Sequence, residues 1–356
     1  AAVLVMCLLP NAGSFGMAVS TAMVFGLVSL MFLDTSINMA MQPFKMLVGD
    51  MVNEEQKGLA YSIQSFLCNA GSIVGFVFPF VFTFIGIANT APSGIVPDSV
   101  VYSFYIGAAI LILCVIYTTS TVKEMPPKEY VKYHNLNSEK KEESMGWITL
   151  LKKAPATFWK VGLVQFFSWF AFMYMWTYTN GTVAANCWGV DMLAHNATST
   201  IGYQEAGNWV GVLFAVQSIG SVVWAIVLPQ FKSRKMAYAL SLLIGAAGFI
   251  MTAFVHNQYM MFVPFVLIGC AWAAILAMPF TFVTNALEGY GHMGAYLGLF
   301  NGTICIPQIV AALMGGVLLS VVGSVQSSMM ILAGVALIAG ALCVSIIKER
   351  KETATV

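Results

Sequence analysis

Ten apolar runs divide this chain, and every lysine and arginine falls in or beside alternate loops between them. The runs lie near 1–9, 17–46, 59–88, 100–121, 158–184, 209–230, 236–255, 259–285, 295–322 and 328–347. Most reach the roughly 20 residues that a 30 Å hydrocarbon core requires of a helix. They are too long for transmembrane β-strands, which need only about 10 alternating residues each. Helices are the remaining way to satisfy the backbone in lipid. The expected fold class is an all-α polytopic membrane protein.

The 16 basic side chains sort onto one face. Lys45 and Lys57 flank the loop after the second run. Lys123, Lys128, Lys132, Lys140, Lys141, Lys152, Lys153 and Lys160 lie in or beside the long loop after the fourth. Lys232, Arg234 and Lys235 sit between the sixth and seventh, and Lys348, Arg350 and Lys351 follow the last. The opposite loops carry only Asp98, Asp191 and Glu205. By the positive-inside rule the basic face is cytoplasmic, the carboxyl terminus with it, in an inner or plasma membrane.

Composition agrees. Hydrophobic residues make up 59% of the 356 and charged ones 9%, against roughly 25% charged in a soluble domain. A cytosolic enzyme, a disordered regulator and a secreted disulfide scaffold are excluded. The formal net charge of +1 excludes a nucleic-acid binder working by bulk electrostatics. Six of the seven cysteines sit in apolar runs, and Cys187 has no loop partner, so neither disulfides nor a zinc site is expected. No cofactor is implied.

The first residue is Ala1 and the first run stops at Pro10, which reads as a chain lacking its first two helices. The stretch Lys123–Lys153 is rich in Lys and Glu and reads as an exposed linker. The expected organisation is an amino-terminal bundle over 1–122 (helices three to six of twelve), a cytoplasmic linker over 123–155, a six-helix bundle over 156–348 and a tail over 349–356. Major facilitator transporters are built from two such six-helix halves.

One acid stands at membrane depth. Asp34 lies eleven residues before Lys45, about 16 Å along a helix and half the hydrocarbon thickness. Placing a charge there costs at least ~2.5–3.5 kcal/mol on insertion scales, so such residues are functional by default. A carboxyl buried without a cation is pushed toward its neutral form and can take and release a proton. Asp34, Asn38, Gln42 and Lys45 fall within an arc of about 80°, a polar stripe expected to face a wet cavity. A second stripe on the third run holds Tyr61, Gln64, Ser65, Cys68, Asn69 and Ser72, for which interhelical hydrogen bonding with close Gly/Ser packing is an equal reading.

The fifth run is the most aromatic. Gln165, Ser168, Trp169, Phe172, Trp176, Thr179 and Asn180 line one of its faces. A sugar offers an apolar C–H face and a rim of hydroxyls, which an aromatic plate with nearby amides suits. An interfacial aromatic belt with core packing is the alternative. Gln217, Trp272, Asn301 and Gln308 lie inside other runs and are neutral hydrogen-bonding groups, as an uncharged solute requires. Pro43, Pro79, Pro279 and Pro307 permit kinks. Paired acids, phosphate-cradling glycines and metal-ligand clusters are missing from the sequence pattern, so enzyme chemistry is not expected.

The stretch from Leu33 through Asp34, Asn38, Gln42, Pro43 and Lys45 to Asp50 resembles the fourth helix of plant sucrose transporters and their relatives. Gly298–Gln308, with Asn301 and Pro307, closely resembles their eleventh helix. Ala277–Phe280 is similar to the tenth and Trp169–Phe172 to the seventh. The family is the glycoside–pentoside–hexuronide:cation symporters, within the major facilitator superfamily. The family's glutamine stands one residue nearer its acid than Gln42 does, and Lys45 replaces an arginine. The resemblance runs from about residue 20 to 320 and implies a twelve-helix major facilitator fold, of which helices three to twelve are present.

The resemblance further implies proton-coupled uptake of a disaccharide or glucoside, of the maltose or sucrose kind, by alternating access. Asp34 matches the family's protonatable acid. Asn38, Gln42, Gln64, Trp169, Trp176, Gln217, Trp272, Asn301 and Gln308 are the expected solute-facing residues, with Lys45 and Asp50 as gate residues. The expected partners are the sugar, a proton (or Na⁺) and the bilayer, with the protein a monomer. A non-transporting sugar sensor on the same fold and a symporter for another small polar solute are the alternatives.

Overall fold

A computed structural model of the chain describes residues 1–16, 19–51, 54–92, 95–123, 126, 129, 146–287 and 292–347. All regular structure among them is helical. The contacts divide into two compact units, Ala1–Lys141 and Glu142–Val356.

The first unit holds α1 (Ala2–Leu8), a 3-10 turn (Leu9–Phe15), α2 (Val19–Met51), α3 (Glu54–Phe84) and α4 (Asp98–Thr121). Pro10, expected to end the first run, sits in the first turn of the 3-10 segment, where its missing N–H goes unneeded. That segment ends at Gly16 in the left-handed region, φ 64°. Helix α1 packs on α2 and α4, and α3 on α4 and α2. Asn11 fixes the corner, its Nδ2 donating to the Cys7 carbonyl (2.8 Å) and to the Tyr105 hydroxyl (2.7 Å). The hydroxyl of Ser99 bonds Asn89 Oδ1 ahead of α4. Met23, Leu27, Met31 and Leu67 are exposed among the described residues. A Cβ added at Gly71 or Gly75 would meet nothing within 4 Å. The close packing read for α3 is therefore not made by these glycines among the described residues.

The second unit holds α5 (Trp147–Lys153), α6 (Ala156–Trp188), α7 (Ile201–Val227), α8 (Arg234–Thr252), α9 (Phe262–Leu287), α10 (Met293–Phe300), α11 (Gly302–Val321) and α12 (Gln326–Val344). Local signals set the boundaries. Pro155 precedes α6, and Gly189 ends it at φ 65°. Thr200 and Ser233 cap α7 and α8, their hydroxyl oxygens accepting from the N–H of Tyr203 (3.3 Å) and Met236 (3.2 Å).

Three expectations shift here. Helix α7 begins eight residues earlier than the run at 209, because Thr200 caps it and Glu205 is taken up by the Trp188 indole N–H (3.0 Å). Part of the expected linker, 147–153, is helix α5, with Leu150 buried. The run 295–322 is two helices, interrupted at Asn301. There the carbonyl of Asn301 is shared between the N–H groups of Ile304 (3.0 Å) and Cys305 (3.2 Å), and the Thr303 hydroxyl takes the Phe300 carbonyl (2.6 Å). The turn is tightened just before Pro307, which can offer no N–H to residue 303.

Close approach organises this bundle. Helix α6 packs on α7, α9, α11 and α12, while α9 packs on α7 and α8. A Cβ on Gly269 of α9 would overlap the Gln217 carbonyl oxygen of α7, and one on Gly220 would lie 2.8 Å from the Val266 carbonyl. A Cβ on Gly248 of α8 would lie 2.6 Å from the Pro264 carbonyl. In lipid, where solvent does not drive helices together, such small-residue seams supply the packing contact. The core between α6, α8, α9 and α12 includes Phe172, Tyr238, Phe249, Ile268 and Leu337, all fully buried.

Eight described helical stretches are long and apolar enough to cross a bilayer. The first run supplies only a short apolar helix, Ala2–Gly13. Helix α6 has ample length at 33 residues, but its Gln, Ser, Thr, Asn and Trp side chains dilute it.

Candidate functional site

The second unit gathers three tryptophans. Trp169 and Trp176 are seven apart on α6 and share a face. Trp272 of α9 meets both, with ring centroids 5.7 Å from Trp169 (75° between planes) and 5.9 Å from Trp176 (83°). Trp169 and Trp176 stand 6.3 Å apart. Phe172 packs beneath, 5.1 Å from Trp272, and Phe249 of α8 backs Phe172 at 5.5 Å. These edge-to-face and tilted contacts fall in the favourable range for aromatic pairs. The rings touch one another at 44–83° between planes, so they form a folded plate with an open edge rather than a cage around a cation. Trp176, at 42% exposure, is that edge; Trp169 is 7% exposed and Phe172 is fully buried.

Amides border the plate. The Trp169 indole N–H donates to Gln165 Oε1 at 2.9 Å. Gln165 is fully buried, and its Nε2 has no hydrogen-bond partner among the described residues. Asn180, on the same face of α6, has a buried Oδ1 without a partner among the described residues. Gln217 is buried on α7, and its backbone lies against Gly269, one turn before Trp272. Asn301 and Gln308 are half-buried on the segment that packs along α6, with Asn301 at the helix break. Of the expected solute-facing residues, direct ring contact thus joins Trp169, Trp176 and Trp272.

In the first unit, Asp34 and Asn38 are exposed on α2. Asn38 Nδ2 donates to the Asp34 carbonyl oxygen (2.9 Å) and to Asp34 Oδ1 (3.1 Å). The side chains of Gln42, Lys45 and Asp50 lie outside the described residues, as do those of Tyr61 and Ser65. Gln64 is half-buried on α3, with a buried Nε2 that has no partner among the described residues. The Ser72 hydroxyl donates to the Cys68 carbonyl (3.0 Å), within its own helix.

Two clamps were not foreseen. At one end of the second unit, the Lys235 ammonium donates to the carbonyls of Ser345 (2.5 Å) and Ile347 (2.8 Å), at the end of α12. A cation there also suits the negative end of the helix dipole. At the other end, Asn186 of α6 bonds the chain after α8 and the start of α12. Capping of this kind follows no sequence period. Lys235 was legible only as one member of a basic loop.

A sequence profile described as the Major Facilitator Superfamily matches residues 180–355. The crystal structure of the E. coli fucose:proton symporter FucP superposes with a TM-score of 0.60, covering 98% of this chain and 83% of that one at 13% identity. The fold is the major facilitator fold. The magnetosome protein MamH of Paramagnetospirillum magneticum (strain ATCC 700264 / AMB-1) is 31% identical over 121 residues, 33% of this chain. The match spans 28% of that relative's length. The helix lengths and the fold make this a multi-pass integral membrane protein. Within the major facilitator fold, the plate lies on helices of the second bundle, and Asp34 lies on the first long helix described here.

Proposed function

We propose that this chain belongs to a secondary active transporter that carries a neutral disaccharide or glucoside into the cytoplasm by alternating access, driven by a proton. Within its superfamily the reading is of a glycoside–pentoside–hexuronide:cation symporter, organised as two bundles joined by a linker, with the basic loops and carboxyl terminus cytoplasmic. The observation that carries the reading is the plate of Trp169, Trp176 and Trp272. Its ring partners and its hydrogen-bonded neighbour Gln165 are all uncharged. Such a surface favours the C–H face of a sugar, while Asn301 and Gln308 of the neighbouring helices offer amides to its hydroxyls.

Asp34 is the proton carrier in this reading, with Asn38 holding its carboxylate. A carboxyl alternately exposed to the two sides can load a proton on one and release it on the other. Asn38, Gln42, Gln64, Gln217, Asn301 and Gln308 contribute hydrogen bonds to the solute, and Lys45 and Asp50 close the cytoplasmic side. The protein works as a monomer.

The test is uptake of a panel of radiolabelled disaccharides by cells or vesicles carrying the full-length protein, at two external pH values. Saturable uptake stimulated by external acid is the expected result. Uptake that follows sodium instead would move the coupling ion. Retained sugar binding without flux would turn the protein into a sensor.

A further inference from the structure

We infer that Gln165 is a positioning residue: it fixes the rotation of the Trp169 indole and so sets the affinity of the plate for its solute without touching that solute. The inference rests on the plate being the solute site. An indole N–H can only donate. It lies 2.9 Å from Gln165 Oε1, one turn earlier on the same helix. That contact also fixes the amide, whose carbonyl must face the indole and whose N–H₂ is turned away. The turned-away nitrogen is buried and has no hydrogen-bond partner among the described residues.

Filling space does not require an amide here. Gln165 is fully buried, and an apolar side chain of similar length would occupy the same volume without a desolvated donor. What the amide adds is orientation. Trp169 stands nearly edge-on to Trp272 and tilted on Trp176. Rotating its ring would change both contacts and move the open edge of the plate. Because Gln165 itself is occluded, its influence on a solute passes through Trp169.

Two variants separate this role from packing. Gln165→Glu keeps an oxygen acceptor for the indole and removes the N–H₂. Gln165→Met keeps the length and removes the acceptor. The readouts are the Trp169 indole ¹H–¹⁵N resonance of the detergent-solubilised full-length protein, assigned with Trp169→Phe, the thermal unfolding midpoint, and KM and Vmax for sugar uptake.

In Gln165→Met the indole proton resonance should move upfield. KM should rise roughly fivefold to tenfold, as loss of one oriented contact predicts, with Vmax and the unfolding midpoint unchanged. Gln165→Glu should keep the parent resonance and stay near the parent KM. An unmoved resonance in Gln165→Met would overturn the pairing. Equal KM shifts in both variants, or a lowered unfolding midpoint and Vmax at constant KM, would overturn the positioning role. If the parent takes up no sugar saturably, the solute-site reading fails, while the resonance still decides the Gln165–Trp169 pairing.

Discussion

The hydroxyl of Ser327, at the start of α12, donates to Oδ1 of Asn186 near the end of α6 at 3.0 Å. The same asparagine turns its Nδ2 toward the carbonyls of Thr252, Ala253 and Val255, at 3.2–3.3 Å, where α8 ends. One side chain therefore ties three helices at one end of the second bundle. Its donor answers carbonyls that the end of a helix leaves without partners.

Removing that tie should lower stability without changing the solute preferred. Asn186→Ala is expected to cost about 1–3 kcal/mol, the range for a partly buried hydrogen-bonded group. Asn186→Asp should cost more, because a carboxylate would face three carbonyl oxygens. Thermal unfolding of the purified protein in detergent measures both, and the ratio of KM values for two sugars should stay fixed.

Asp34→Asn should abolish pH-driven accumulation while leaving sugar exchange across the membrane. The asparagine can still bond Asn38 but cannot give up a proton at physiological pH. Accumulation in the variant should fall to simple equilibration at every external pH. Uphill uptake that still rises as the outside is acidified would remove Asp34 from the coupling step.

The open edge of the plate should matter more for binding than for folding. Trp176→Ala removes the half-exposed ring and should raise KM roughly fivefold to tenfold, the equivalent of about 1–1.4 kcal/mol of aromatic contact. Phe172→Ala removes a fully buried ring and should instead destabilise the bundle by about 3–5 kcal/mol. Uptake kinetics and unfolding midpoints on the two variants separate these effects.

Glycine substitutions should divide by position. Gly269→Ala drives a methyl into the Gln217 carbonyl, a backbone atom that cannot swing aside. Overpacking of about 1–3 kcal/mol is expected. Gly26→Ala, on α2, meets nothing within 4 Å and should be neutral or stabilising by about 0.5–1 kcal/mol, since alanine favours the helix. Detergent melting curves of the pair test the contrast.

Helix identity was legible because lipid demands long apolar runs, and the charged loops marked their ends. Lys235 meets the carbonyls of residues 345 and 347 at the end of α12, a contact that the pattern of charged loops did not specify. The start of α7 was not legible. Glu205 read as loop, but Thr200 caps a helix that carries it. The shared face of Trp169 and Trp176 followed from helical spacing, and Trp272 stood out only as a tryptophan in an apolar run. That it completes the plate depends on how α9 crosses α6, which no local pattern encodes. Asn186 gave no signal, because a side chain that caps other helices has partners remote in sequence.

Side chains can yield by changing rotamer, but backbones that meet through glycine cannot. At Gly220 and Gly269, and again at Gly248, the main chains of α7, α8 and α9 lie against one another. Sliding one past the next would push carbonyl oxygens into Cα atoms, so this packing resists shear between the three helices. Compliance is left to the segment where Asn301 interrupts the ladder and Pro307 withholds a rung. In a rocking carrier, that jointed rod bends while the three packed helices carry the load.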